Sequence, residues 1–155
     1  MVPAGTFSVE VNPLIGAGLT HGLVLGETID RNQVLNFDLP ATSVASEIAR
    51  TGRLAPAGSA YPYSVTLRNT TGGTAQVNAQ IFLRDPRSGV IVTLLGPVPL
   101  PLPPNFGPAT VPLTLPIPAS VPAELRNRSI EIGILVTDTA SGALRDFDLT
   151  RFMIP

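Results

Sequence analysis

A catalytic centre needs polar groups that can be brought together, and this chain offers few of them. Its single histidine, His21, sits in the glycine-rich stretch LTHGLVLG; cysteine and lysine are absent, so arginine supplies all ten basic residues. A Ser-His-Asp arrangement would have to use His21 as its base, yet no Gly-x-Ser-x-Gly elbow exists to present a serine to it. A histidine at a strand start or a subunit contact is the better reading. Thiolate and amine nucleophiles are excluded by composition.

Carboxylates are the remaining candidates. Asp146 and Asp148 flank Phe147, and on a strand they would point to one face about 7 Å apart, a spacing open to cation binding or to two-carboxylate glycoside chemistry with Asp138 across a turn. Arg145 and Arg151 lie close by in sequence, so the expectation is instead an acidic solvent face on a terminal strand, which blunts edge pairing. Sugar chemistry also wants aromatic platforms, and aromatics make up 5% of the chain with no tryptophan. Gly16-Ala-Gly18 continues into Leu-Thr-His-Gly without a P-loop lysine or a helix-forming run, so nucleotide binding is not expected. The run PVPLPLPP has Pro-x-x-Pro spacing but no basic neighbour nearer than Arg87, so packing or an inter-subunit arm is preferred to an SH3-type ligand. Asn69-Thr-Thr71 and Asn127-Arg-Ser129 match the glycosylation sequon, a pattern of low specificity. No catalytic residue, cofactor or metal ligand is expected.

The elements that would have to position such groups are legible in outline. The chain has 155 residues, 44% hydrophobic and 14% charged, with 17 prolines and 14 glycines. That composition suits one folded domain over 1–155 and is far too apolar for disorder. A net charge of -1 leaves no basic surplus for a phosphate backbone, so nucleic acid is not expected as a partner. The N-terminal MVPAGTFSVEVNP has no basic leader, and the apolar stretch 14–25 is too short and too glycine-rich for a membrane span.

Period-two alternation recurs between turn signals and marks half-buried strands. Phe7, Val9 and Val11 share one face; Leu35, Phe37 and Leu39 repeat the pattern. Tyr63, Val65 and Leu67 precede Asn69-Thr-Thr-Gly-Gly-Thr74, read as a hairpin turn into Ala75, Val77, Ala79, Ile81 and Leu83. Asp85-Pro-Arg-Ser-Gly89 then turns into residues 90–95, completing a three-stranded meander. Ile130, Ile132, Ile134 and Val136 alternate before the turn at 139–143, with Phe147, Leu149 and Met153 answering from the partner strand. Residues 43–50 (SVASEIAR) read as a short helix capped by Ser43.

Residues 96–122 hold ten of the prolines, including Pro97, Pro99, Pro101, Pro103 and Pro104. Proline cannot donate to a ladder, so residues 97–104 are expected as polyproline II, with Val111, Leu113 and Leu115 on an edge strand or arm. The expected fold is all-β: an antiparallel sandwich, or a jelly-roll or Ig-like barrel, of about 8–9 short strands with a long Pro-rich crossover over 96–122 and a possible N-terminal arm over 1–25.

In size, architecture and arms the chain resembles the small β-sandwich decoration, or auxiliary, proteins of tailed-bacteriophage capsids. That resemblance implies a non-enzymatic protein made in a host cytoplasm and bound to the virion, forming homo-oligomers, trimers among them, and cementing a major capsid protein or other scaffold. The contacts it implies are Phe7, Val9, Val11, Leu100, Leu102, Phe106, Val111, Leu113 and Leu115. A second reading is an Ig-like adhesion module of a bacterial cell surface, since YSVTLRNTTGGTAQVNAQIFLRD looks like paired strands of bacterial Ig-like repeats. A third, a carbohydrate-binding sandwich, would rely on Tyr61, Tyr63 and Phe82.

Overall fold

The computed structural model describes residues 5–11, 22–29 and 43–155. Among these residues nine strands run in chain order: β1 (Gly5–Val11), β2 (Gly22–Ile29), β3 (Val44–Arg50), β4 (Ala60–Asn69), β5 (Ala75–Arg84), β6 (Ile91–Leu102), β7 (Ala109–Pro116), β8 (Arg128–Asp138) and β9 (Leu144–Ile154). Among the described residues a single 3-10 turn occupies Ala123–Leu125. The strands pair antiparallel as a β1-β2 ribbon, a three-stranded sheet β3-β4-β7 and a four-stranded sheet β6-β5-β8-β9. The two larger sheets make a β-sandwich. His21 and the alternating residues 35–39 lie outside the described residues.

Alternation decides which faces meet. Tyr61, Tyr63 and Val65 of β4, Val77 and Ile81 of β5, and Ile130, Ile132, Ile134 and Val136 of β8 all turn inward and are buried. Phe152 and Ile154 of β9 join them, with the Tyr61 and Phe152 rings stacked at 4.7 Å between centroids. Burying aliphatic side chains of this size contributes roughly 1.5–3 kcal/mol each, so the core strands of both sheets are held chiefly from inside.

Four local expectations are corrected. Residues 43–50 are not helical: β3 presents Val44, Ser46 and Ile48 to the interior at period two, and tertiary packing overrides a sequence whose pattern fits either period. The Asn69–Thr74 segment is not a hairpin, because β4 and β5 belong to different sheets and the segment crosses between them. Only β5-β6 of the expected meander is a hairpin. Phe147 and Leu149 do not face the core; Leu149 lies over Gly133 on the outer face, where a β-carbon would meet Leu149 Cδ2 and Phe82 Cζ at 2.5 Å. Finally, residues 97–102 are not free polyproline II but the second half of β6, in register with β5.

Edge position makes that last pairing possible. A proline fits a ladder only with its nitrogen turned to the free side. Pro97, Pro99 and Pro101 alternate with Val98, Leu100 and Leu102, which pair with Ala79, Val77 and Ala75. Gly96 divides the two halves of β6 at φ +91°, where a β-carbon would collide with the Ala79 carbonyl.

Candidate functional site

The carboxylates that sequence singled out are embedded in the fold. Asp146 and Asp148 do share a face, as their spacing requires, but that face is inward and both are buried. The Ser46 amide donates to Asp146 Oδ2 at 2.6 Å, the Ser46 hydroxyl donates to the same oxygen at 3.1 Å, and the Ile48 amide donates to Asp148 Oδ2 at 2.8 Å. These are the alternate N–H groups of β3 that point away from β4. Two aspartates of β9 thus bind the edge of the facing sheet and close that side of the sandwich with charge-assisted bonds. The expectation of an acidic solvent face is overturned by this inward register.

Three further carboxylates, Asp138, Glu131 and Asp85, are similarly engaged. Asp138 accepts from Arg145 Nη2 at 2.6 Å and from the Ser141 amide and hydroxyl at 2.9 Å, and these donors hold its carboxyl well below the ordinary range. Glu131, 1% exposed on the outer face of β8, binds Arg84 Nε at 2.6 Å and Arg151 at 2.8 Å. Asp85 caps its turn, accepting from the Arg87 amide and the Ser88 hydroxyl, which lower its pKa. Among the described residues no group of three or more His, Cys, Asp or Glu is arranged to hold a metal ion. The Asn69 sequon is occupied internally: its buried amide donates to Gly73, Leu102 and Pro103 carbonyls, and its Oδ1 accepts from Thr71.

Two hollows accompany these groups. A polar one of about 400 Å³ lies beside Thr71, Gln76, Asp138 and Arg145, whose charges already face each other. An apolar one of about 170 Å³ is lined by Leu83, Leu115, Val121, Ile130 and Phe152.

The residues expected to make contacts are dispersed. Leu102 and Leu115 are buried in the protein's own core, which corrects their assignment to a free arm: both alternate with prolines and so face inward. Leu100, Phe106 and Leu113 are half-buried against that core. Val111 shares the inner face of β7 with Leu113 and Leu115, opposite Val65, but stays exposed. Phe7, Val9 and Val11 lie on β1, in the ribbon rather than in either sheet; nothing about their side chains is described.

An apolar surface does exist, one step earlier in the chain. Val90, Ile91, Val92, Leu94 and Leu95 are between 36% and 59% exposed, the longest exposed aliphatic run among the described residues. They form the lead-in and first half of β6, one of the two edge strands of the four-stranded sheet. Sequence reading identified a strand here but not its exposure, because strand order decides exposure. The available signal was the absence of charge: no charged residue or histidine occurs between Arg87 and Glu124.

No protein-family model and no curated protein matches the chain. Among solved structures, the CARDB domain of the PF1109 protein from Pyrococcus furiosus, in complex with di-metal ions, has a TM-score of 0.49 at 10% identity, over 73% of this chain and 93% of that one. A domain of the outer membrane lipoprotein Omp28 from Porphyromonas gingivalis scores 0.47 at 15% identity, over 79% and 97%. The sporulation control protein Spo0M from Bacillus subtilis scores 0.45 at 10% identity, over 72% and 49%. Likeness at this level assigns no function.

Proposed function

We propose that the protein is a non-enzymatic assembly module, a β-sandwich that self-associates and attaches to a larger particle, with decoration and stabilisation of a viral capsid as the setting its sequence resemblance implies. One observation carries the reading. The acidic side chains at 85, 131, 138, 146 and 148 are bonded to backbone or arginine groups that hold the sandwich together, while an uncharged aliphatic run on an outer strand is left facing solvent. Chemistry requires polar groups aimed at a substrate; assembly requires apolar surface aimed outward.

Sedimentation of the full chain, alone and with undecorated particles, tests the reading. An oligomer, or co-sedimentation with the particle, supports it. A strict monomer without particle association ends it, as does genuine turnover of an ester, glycoside or phosphoester abolished by His21→Ala or Asp146→Asn.

A further inference from the structure

Exposed strand edges are templates for pairing, and folded proteins ordinarily block them. In this sandwich nearly every edge is blocked in an identifiable way. β3 has its outward amides bonded by Asp146 and Asp148. β9 is covered near its end by residues 53–55, where the Ala55 amide donates to the Met153 carbonyl and the Met153 amide to the Arg53 carbonyl, both at 2.8 Å. β7 carries Pro112 and Pro116 in register with β4, so its free side lacks donors at those two positions. The second half of β6 is blocked by Pro97, Pro99 and Pro101. The first half has no such block: residues 91–95, Ile-Val-Thr-Leu-Leu, contain no proline and no charge, the chain has no lysine to guard them, and one bulge at Leu94 is the irregularity in their register with β5.

We propose that this unguarded half of β6 pairs antiparallel with the same segment of a second copy, across a two-fold axis at Thr93, joining two four-stranded sheets into one of eight. The inference rests on the assembly reading and names its contact. Three observations select a second copy as the occupant. The blocks are symmetric about the segment, since Pro97 stops pairing on one side and the turn at Asp85–Gly89, bonded from the Gly89 amide to the Asp85 carbonyl at 2.9 Å, stops it on the other. A five-residue window centred on Thr93 therefore pairs Ile91 with Leu95 and Val92 with Leu94 of the partner copy. The segment has no charge, so two identical copies meet without repulsion, and nothing in it selects a charged partner. The area suits a small two-fold contact. The four aliphatic side chains of the window, Ile91, Val92, Leu94 and Leu95, expose on the order of 350 Å² per copy, so a two-fold contact covers at most roughly 700 Å² before backbone and flanks are added, in the range of a weak interface.

Thr93 provides a direct reporter. Its hydroxyl accepts from Gln80 Nε2 at 2.7 Å on the outer face of the sheet. Opposite residues of an antiparallel pair lie about 4.5–5.5 Å apart at Cα, within disulfide reach, and the chain has no cysteine of its own. The experiment is mild oxidation of full-length Thr93→Cys, with Ala140→Cys in the far β8-β9 turn as the control, alongside the native mass of wild type and Val92→Lys. The expected result is a covalent dimer from Thr93→Cys only, and a native mass halved by Val92→Lys while cooperative unfolding is retained. An oligomer that neither cross-links through position 93 nor responds to Val92→Lys overturns this contact and leaves the assembly reading standing. Particle attachment lost in Val92→Lys with self-association intact assigns the edge to the particle and overturns the two-fold. A wild-type monomer whose 91–95 amides are protected from exchange shows the edge covered by the chain's own residues, and overturns it too. A wild-type monomer with freely exchanging 91–95 amides and no particle association overturns both the contact and the assembly reading.

Discussion

Where β3 meets β9, two aspartates reach across the gap between sheets and bind amides that a neighbouring strand would otherwise claim. Where β6 ends the four-stranded sheet, prolines do the same work by removing donors, but only as far back as Pro97, and five aliphatic residues beyond them face solvent. The first side is closed by polar bonds made inside the molecule. The second is half closed by backbone chemistry and half left available. The difference shows that an edge can be silenced either by satisfying its N–H groups or by deleting them, and that a stretch treated in neither way is the natural place for another chain to join.

Breaking the closed side carries the largest expected effect. Asp146→Ala or Asp148→Ala leaves buried β3 amides without their acceptor and should destabilise the fold by about 1–3 kcal/mol each, read by chemical denaturation. Native mass should not change beyond what unfolding accounts for. Equal stability of Asp148→Ala and wild type would remove the seam from the account.

The closed side was the harder one to read from sequence. The two hairpins β5-β6 and β8-β9 are visible because each pairs neighbours through a turn rich in Asp, Ser and Gly. The 69–74 segment uses the same turn chemistry to cross between sheets, since such residues specify a reversal and not its partner. Asp146 and Asp148 find their acceptor role 100 residues away in sequence, a distance at which local periodicity is silent. That remote partner inverts β9, sending Phe147 and Leu149 outward and the two aspartates inward. Leu102 and Leu115 stand in proline-rich sequence, Leu102 between Pro101 and Pro103 and Leu115 before Pro116, yet proline with its nitrogen on the free side is what an edge strand permits. The charge-free run between Arg87 and Glu124 is the one local signal for residues 90–95, and it does not carry their place at the sheet's edge, which strand order decides.

Extending the open side should produce a smaller change. Pro99→Val restores a donor to the guarded half of β6, but in the two-fold register position 99 faces Arg87 of the partner copy's turn, so self-association should change less than about twofold, seen by sedimentation across a concentration series. The unfolding free energy of the monomer should fall by no more than about 1 kcal/mol, the usual contribution of a compatible proline through the unfolded chain. Association tightened roughly tenfold or more would mean that pairing runs past Pro97 and is not centred on Thr93.

Substituting the open side itself should barely affect the fold. Val92→Lys places a charge on an exposed strand and should alter unfolding free energy by within about 0.5 kcal/mol while altering native mass, the reverse of the aspartate variants. A large loss of stability would make Val92 a core residue.

The smallest effect concerns acid. Arg145, followed by the Ser141 amide and hydroxyl, lowers the Asp138 pKa below its unfolded value. The stability this contributes is present above the unfolded pKa of about 3.9 and is lost as pH falls through the lower folded value. Asp138 is on the surface, so Asp138→Asn should only slightly flatten the acid limb of the unfolding profile below about pH 4, and it should leave association unaltered. A shift in the neutral range would point to another group.

Amide hydrogen exchange of the wild-type chain over a concentration series compares both sides in one measurement. Ser46 and Ile48 should exchange slowly at every concentration, because carboxylates of their own molecule hold their amides, whereas the outward amides of residues 91–95 should exchange freely when dilute and become protected as concentration rises. Protection at 91–95 that does not vary with concentration, or Ser46 and Ile48 exchanging as fast as the open strand, would contradict the distinction between a closed edge and an available one.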